Sequence, residues 1–160
     1  VTGYFMRQLL LIISLKFISL TTLAQTDRVE RLVDSINDNQ VGIAMQYVWY
    51  PKMKSPWGDT LIAIGKPATT QLFNVLNDTT KGIIAHFILS NIWANELSKA
   101  GHRIGSRVSP VEGLENISLQ VLYSGFTFYA DEQNHLFAKR MDLESNKKNW
   151  QTFLDKQSSR

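Results

Sequence analysis

The sequence predicts an α+β domain, and three patterns predict it. Between Leu61 and Leu97 apolar residues recur every three to four positions, the period of packed helices. From Ser118 to Ala130 the period changes to two, with Leu119, Val121 and Tyr123 alternating against polar neighbours, the period of a strand. After Asp142 the helical period returns, with Trp150, Phe153 and Leu154 at i, i+3 and i+4 opposite Asn146, Lys147, Lys148 and Asn149.

The chain opens with a segment of different character. Met6-Arg7 precedes an almost unbroken apolar run from Leu9 to Leu23, and Thr22-Leu23-Ala24 ends in a small residue. This order of positive charge, apolar run and small residue marks residues 1–24 as a cleavable secretory signal, with cleavage expected between Ala24 and Gln25 and with Val1 to Phe5 ahead of the expected start. A retained anchor is the less favoured reading: the run carries Lys16 and is shorter than the roughly 20 apolar residues a span requires. Residues 25–160 then form a single mature domain, with a helical part over 25–103 and a β-hairpin plus terminal helix over 104–160. The chain holds 17 basic and 14 acidic residues, but Arg7 and Lys16 fall in the leader, which leaves a net charge of about +1. A near-neutral domain without a basic stripe argues against nucleic acid as a partner. An exported domain with no cysteine reads as bacterial, periplasmic or secreted, because exported eukaryotic domains of this size are usually stapled by disulfides.

A shift of 40 residues aligns the chain with itself. Leu32 falls on Leu72, Asn37-Asp38 on Asn77-Asp78 and Gly42-Ile43 on Gly82-Ile83, with Ile36, Tyr47 and Val48 matched by Leu76, Phe87 and Ile88. Each copy reads as a helix, an Asn-Asp break and a second helix. In the later copy Pro67 belongs in a first turn, so one helix is expected from about Lys66 to Leu76. A longer, buried one follows from about Thr80 to Lys99, stopped by Gly101. Between the copies, Pro51, Pro56 and Gly58 predict a loop over 49–59. Its large apolar side chains, Trp49, Tyr50, Met53 and Trp57, are the candidate partner-binding residues. The competing account is that these rings pack down on the helices. Residues 104–115 read as an irregular crossing, and Asp131 to Asn134 as the turn of a β-hairpin whose second arm is His135 to Arg140, with an additional strand before Gly125 left open. Asp142 or Ser145 is the expected cap of the last helix.

The segment Ala63-Ile64-Gly65-Lys66-Pro67-Ala68, followed by Leu72, Leu76, Asp78, Ala85, Leu89 and Ile92, resembles a HEAT repeat. The resemblance covers about 60–95, with a weaker copy over 29–50. It implies HEAT-like helical hairpins that serve as a scaffold for protein contact. The chain departs from the family in holding at most two units where a solenoid needs three or more.

Chemistry-bearing motifs are sparse. His86, His102 and His135 show no metal-ligand spacing, and no G-x-S-x-G or phosphate-loop pattern occurs. His86 could form a buried polar site with Asn95 or Glu96, although a satisfied core histidine is the favoured account. Glu112, Glu115, Asp131 and Glu132 read as solvated turn residues. Lys139, Arg140, Lys147 and Lys148 form a modest basic cluster. No catalytic, cofactor or metal residue is assigned. The functional expectation is an exported, non-enzymatic interaction or scaffold protein of the bacterial cell envelope, possessing another envelope protein as its partner. The alternative is a small periplasmic hydrolase acting on envelope polymer with a histidine base.

Overall fold

The computed structural model describes residues 24–45, 49–102, 105–110 and 117–159. The expected signal and its apolar run therefore lie outside the described residues, as do Glu112 and Glu115. The first helix, α1 (24–35), buries Val29, Leu32 and Val33, with Ile36 just beyond its end. Asn37 then stops the chain. Its side chain accepts the Asn39 N–H at 3.0 Å, while Gln40 Oε1 accepts the Asn37 N–H at 3.3 Å, fixing a short 3-10 turn at Asp38–Gln40.

The two copies of the sequence repeat part company here. Where a second helix was expected over 41–50, the chain forms an antiparallel ribbon of β1 (Val41–Met45) and β2 (Trp49–Met53). The first of the two expected helical hairpins is thus half strand. Pro51 supplies a physical reason, since a helix through it would lose a backbone bond and the residue before it is pushed to extended geometry. The ribbon accommodates proline by register. Gln40 O accepts the Lys54 N–H at 2.6 Å, so pairs alternate outward from there and Ile43 faces Pro51 at a position where no ladder bond is needed.

The expected loop over 49–59 is likewise replaced, by β2 and the first turn of α2 (Pro56–Ile64). Ser55 caps this helix by accepting the Gly58 N–H at 3.1 Å, Pro56 fills its first position, and Gly65 ends it at φ 75°. Pro67 sits in a 3-10 turn, Lys66–Ala68, that leads into α3 (Thr69–Asn74). Next comes α4 (Gly82–Ile92), in which every residue from Gly82 to Ser90 is buried, matching the central helix its dense apolar run predicts. Gly82 is required where it stands, because a side chain there would meet the Leu76 carbonyl and Leu143. The expected continuous helix breaks at Trp93, and α5 (Ala94–Lys99) follows, closed near Gly101 at φ 81°.

The last third is a four-stranded antiparallel sheet in the order β3-β4-β5-β6. It comprises β3 (Ser106–Ser109), β4 (Ile117–Tyr123), β5 (Phe126–Asp131) and β6 (Leu136–Phe137). β3 lies where an irregular crossing was expected. The hairpin turns at Ser124-Gly125, whose φ values of 48° and 81° are those of the tight turn that matches strand twist. The expected turn at 131–134 is the next one along, tied by Asp131 Oδ1, which accepts the N–H groups of Gln133 and His135 at 2.9 and 2.7 Å.

The closing helix α6 (Arg140–Ser158) starts after Lys139 without a side-chain cap, so neither Asp142 nor Ser145 plays that part. The fold class is α+β as predicted. The core is one cluster: α4 packs on α2 and α3, and Phe126, Phe128, Leu143, Trp150 and Phe153 from β5 and α6 join the same apolar body.

Candidate functional site

His86 sits at the centre of this core, 1% exposed. The Trp150 indole Nε1–H donates to its Nδ1 at 2.9 Å, which leaves the ring proton on Nε2, 3.0 Å from the Tyr123 carbonyl. Both ring nitrogens are therefore engaged. Burial drives its pKa down from 6.5 to about 4, with the Tyr123 carbonyl and Asn146 opposing. The ring also packs against Phe126 at 4.9 Å and Trp150 at 5.9 Å. Neither Asn95 nor Glu96 is its partner; Glu96 pairs at the surface with Lys66 at 2.6 Å. His86 locks α4 to β4 and α6, with both ring nitrogens occupied inside the core.

A second buried ionisable group caps α4. Asp38 Oδ1, from the 3-10 turn, accepts the Ile84 N–H at 2.8 Å, while the Asp38 N–H donates to Thr80 O at 2.7 Å. Desolvation raises its pKa from 3.8 to about 7, against the lowering effect of the Ile84 and Ile83 N–H groups. Asp38 thus joins the repeat's two Asn-Asp segments at one helix terminus.

The concave feature of interest lies at the other end of the molecule. His102, just past α5, the Ser124-Gly125 turn, and Asn149, Phe153 and Lys156 of α6 line an open recess of about 410 Å³. A smaller cavity of about 40 Å³ shares His102, Ser124, Asn149 and Phe153 with it. Asn146 and Trp150 line this smaller cavity. The His102 ring meets Phe153 edge-on at 6.2 Å, and Phe153 in turn meets Trp93 and Trp150 edge-on. Asn146 is 3% exposed, and among the described residues neither its Nδ2 nor Ser124 Oγ has a hydrogen-bond partner. Among the described residues the polar lining groups are amide, hydroxyl, imidazole and ammonium, with no carboxylate, set among the apolar side chains of Leu97, Ala100, Trp150 and Phe153. Such a set donates hydrogen bonds and favours negative charge.

Of the residues singled out from sequence, Tyr50 and Trp57 are 36% and 45% exposed, on β2 and in the first turn of α2. Met53 is half-buried, its thioether against Gly58. The Trp49 side chain lies outside the described part. His135 pairs with Asp131 at 3.2 Å on the hairpin surface. The basic cluster is spent in local contacts: Lys147 donates to Asn74 O and Asn77 Oδ1 at 3.0 and 2.8 Å, Lys139 sits over the Tyr129 ring, and Arg140 pairs with Glu144. The recess residues Ser124, Asn146, Asn149 and Lys156 were not singled out beforehand. Asn146, expected opposite the Trp150-Phe153-Leu154 face, is buried instead: it stands four before Trp150 and three after Leu143, a spacing that puts a polar side chain on the buried stripe.

Among the described residues no cluster of His, Cys, Asp or Glu could hold a metal ion, and no helix is long and apolar enough to cross a membrane. Comparison with protein-family models, curated proteins and solved structures gives no match.

Proposed function

We propose that this chain is an exported, non-enzymatic interaction protein of the bacterial cell envelope, engaging another envelope protein through the β2–α2 corner. The observation that carries this is the exposure of Tyr50 and Trp57, two large aromatic side chains within eight positions; the other large apolar side chains exposed among the described residues, Leu122 and Met141, are aliphatic and lie elsewhere in the chain. Aromatic side chains of this kind anchor protein interfaces at little entropic cost. The corner is also rigid: Ser55 and Pro56 set the helix start, and Met53 packs on Gly58. The packing of α2 and α3 on α4 supports a single HEAT-like unit over about 60–95 as the scaffold behind it.

The test is capture of one envelope protein by the wild type, confirmed by reciprocal capture, then repeated with Tyr50→Ala/Trp57→Ala. Loss of capture at unchanged circular dichroism supports the proposal, and undiminished capture removes this corner from it. A second reading is a small periplasmic hydrolase with His102 as base, favoured by one observation: His102 and Ser124 line the same recess. It requires that a fluorophosphonate label Ser124, and an unmodified protein mass would eliminate it.

A further inference from the structure

Among the described residues neither the buried Asn146 Nδ2 nor Ser124 Oγ has a partner, and both residues line the smaller cavity. A buried donor without an acceptor costs about 1–3 kcal/mol, so such groups normally meet something. Here the smaller cavity shares four lining residues with the 410 Å³ recess, a volume within the usual range of small-molecule sites. Lys156 and His102 stand at that recess, and no described lining residue carries negative charge.

We infer that this recess binds a small organic anion, its carboxylate or phosphate head accepting from Asn146 and Ser124 and facing the Lys156 ammonium. The donor set fits an oxygen-rich head better than a cation or an apolar ligand. A cation would meet Lys156 with no carboxylate to offset it, and an apolar group would leave Asn146 Nδ2 unpaired. Asn149, Thr152 and Gln157 border the outer recess and supply amide and hydroxyl contacts to the body of the molecule. The site is distinct from the β2–α2 corner and stands or falls without it.

The probes are citrate, glucuronate and glucose 6-phosphate, with glucose as the neutral control. Binding is followed by NMR through the Asn146 side-chain amide and by calorimetry. The anionic probes should shift the Asn146 amide saturably, glucose should not, and Lys156→Glu should weaken binding at least tenfold, roughly 1.4 kcal/mol, at unchanged fold. Lys156 is exposed, so this variant does not endanger folding. A response to citrate and glucuronate alone assigns a carboxylate head, and a response to the sugar phosphate alone assigns a phosphate. No saturable shift up to about 10 mM of any anion overturns the inference. So does equal binding of glucose, or Lys156→Glu binding as tightly as the wild type.

Discussion

Two buried ionisable groups push the stability of this domain in opposite directions with pH, and Asp38→Asn separates them. The Asp38 carboxyl has its pKa raised from 3.8 to about 7 by burial, so between these values the folded state keeps a proton that the unfolded chain has lost. Folding then binds a proton, and stability falls as pH rises, by about 1.4 kcal/mol per pH unit. His86 does the reverse. Its pKa is lowered from 6.5 to about 4, so the unfolded chain takes up a proton that the folded state refuses, and stability falls as pH drops by a similar increment. Between pH 4.5 and 6.5 both conditions hold, and the two slopes cancel.

The wild type should therefore show nearly constant unfolding free energy across that window. The carboxylates of Asp78, Glu96 and Asp131 are all held below their ordinary pKa, so their contributions are lost at lower pH. In Asp38→Asn an amide oxygen still accepts from Ile84 while the titration disappears. The His86 slope is then exposed, and stability should rise by roughly 2 kcal/mol from pH 4.5 to 6.5. The assay is urea unfolding followed by tryptophan fluorescence at fixed ionic strength, in half-unit pH steps. A variant profile parallel to the wild type would show that Asp38 does not hold a proton in the folded state, and the cancellation argument would fail.

Three further outcomes follow from the packing. Trp150→Phe removes the donor to His86 Nδ1 and leaves that buried acceptor unpaired, so chemical unfolding should show a loss of about 1–3 kcal/mol, with the His86 ring resonances displaced. Gly82→Ala brings a methyl onto the Leu76 carbonyl, which is backbone and cannot swing away, and thermal melting should register a loss of about 1–3 kcal/mol. Leu72→Ala, at a position with no exposure on the contact between α3 and α4, should cost about 2–5 kcal/mol by the same measurement.

What could be read from the sequence was periodicity, and what could not was the choice between equivalent local options. The dense run over 83–92 can only be a helix buried on all sides, and α4 is that helix. The alternation at 119–123 and the Trp150-Phe153 spacing similarly place β4 and α6. The segments that share the Asn-Asp-Gly-Ile pattern show the limit of such reading. Gly82-Ile83 leads into Ile84-Ala85-His86, whereas Gly42-Ile43 leads toward Tyr47-Val48-Trp49-Tyr50-Pro51, rich in β-branched and aromatic residues and closed by a proline. Matching positions by similarity gave weight to the shared half of the pattern and too little to Pro51, the residue that decides against a helix.

The candidate site was less legible for a different reason. A recess is made by residues that are remote in sequence, here 102, 124, 146 and 156, each unremarkable in its own neighbourhood. Asn146 alone carried a local sign, a polar side chain in register with Leu143, Trp150 and Phe153. A helix that turns an amide into its own apolar face forgoes packing there, and the protein offers Nδ2 no partner in return. His86 makes the contrast, since it is equally buried yet both its nitrogens are engaged and its role is confined to the core. The difference between a satisfied and an unsatisfied buried polar group separates the part of this domain that holds the fold from the part arranged to meet something else.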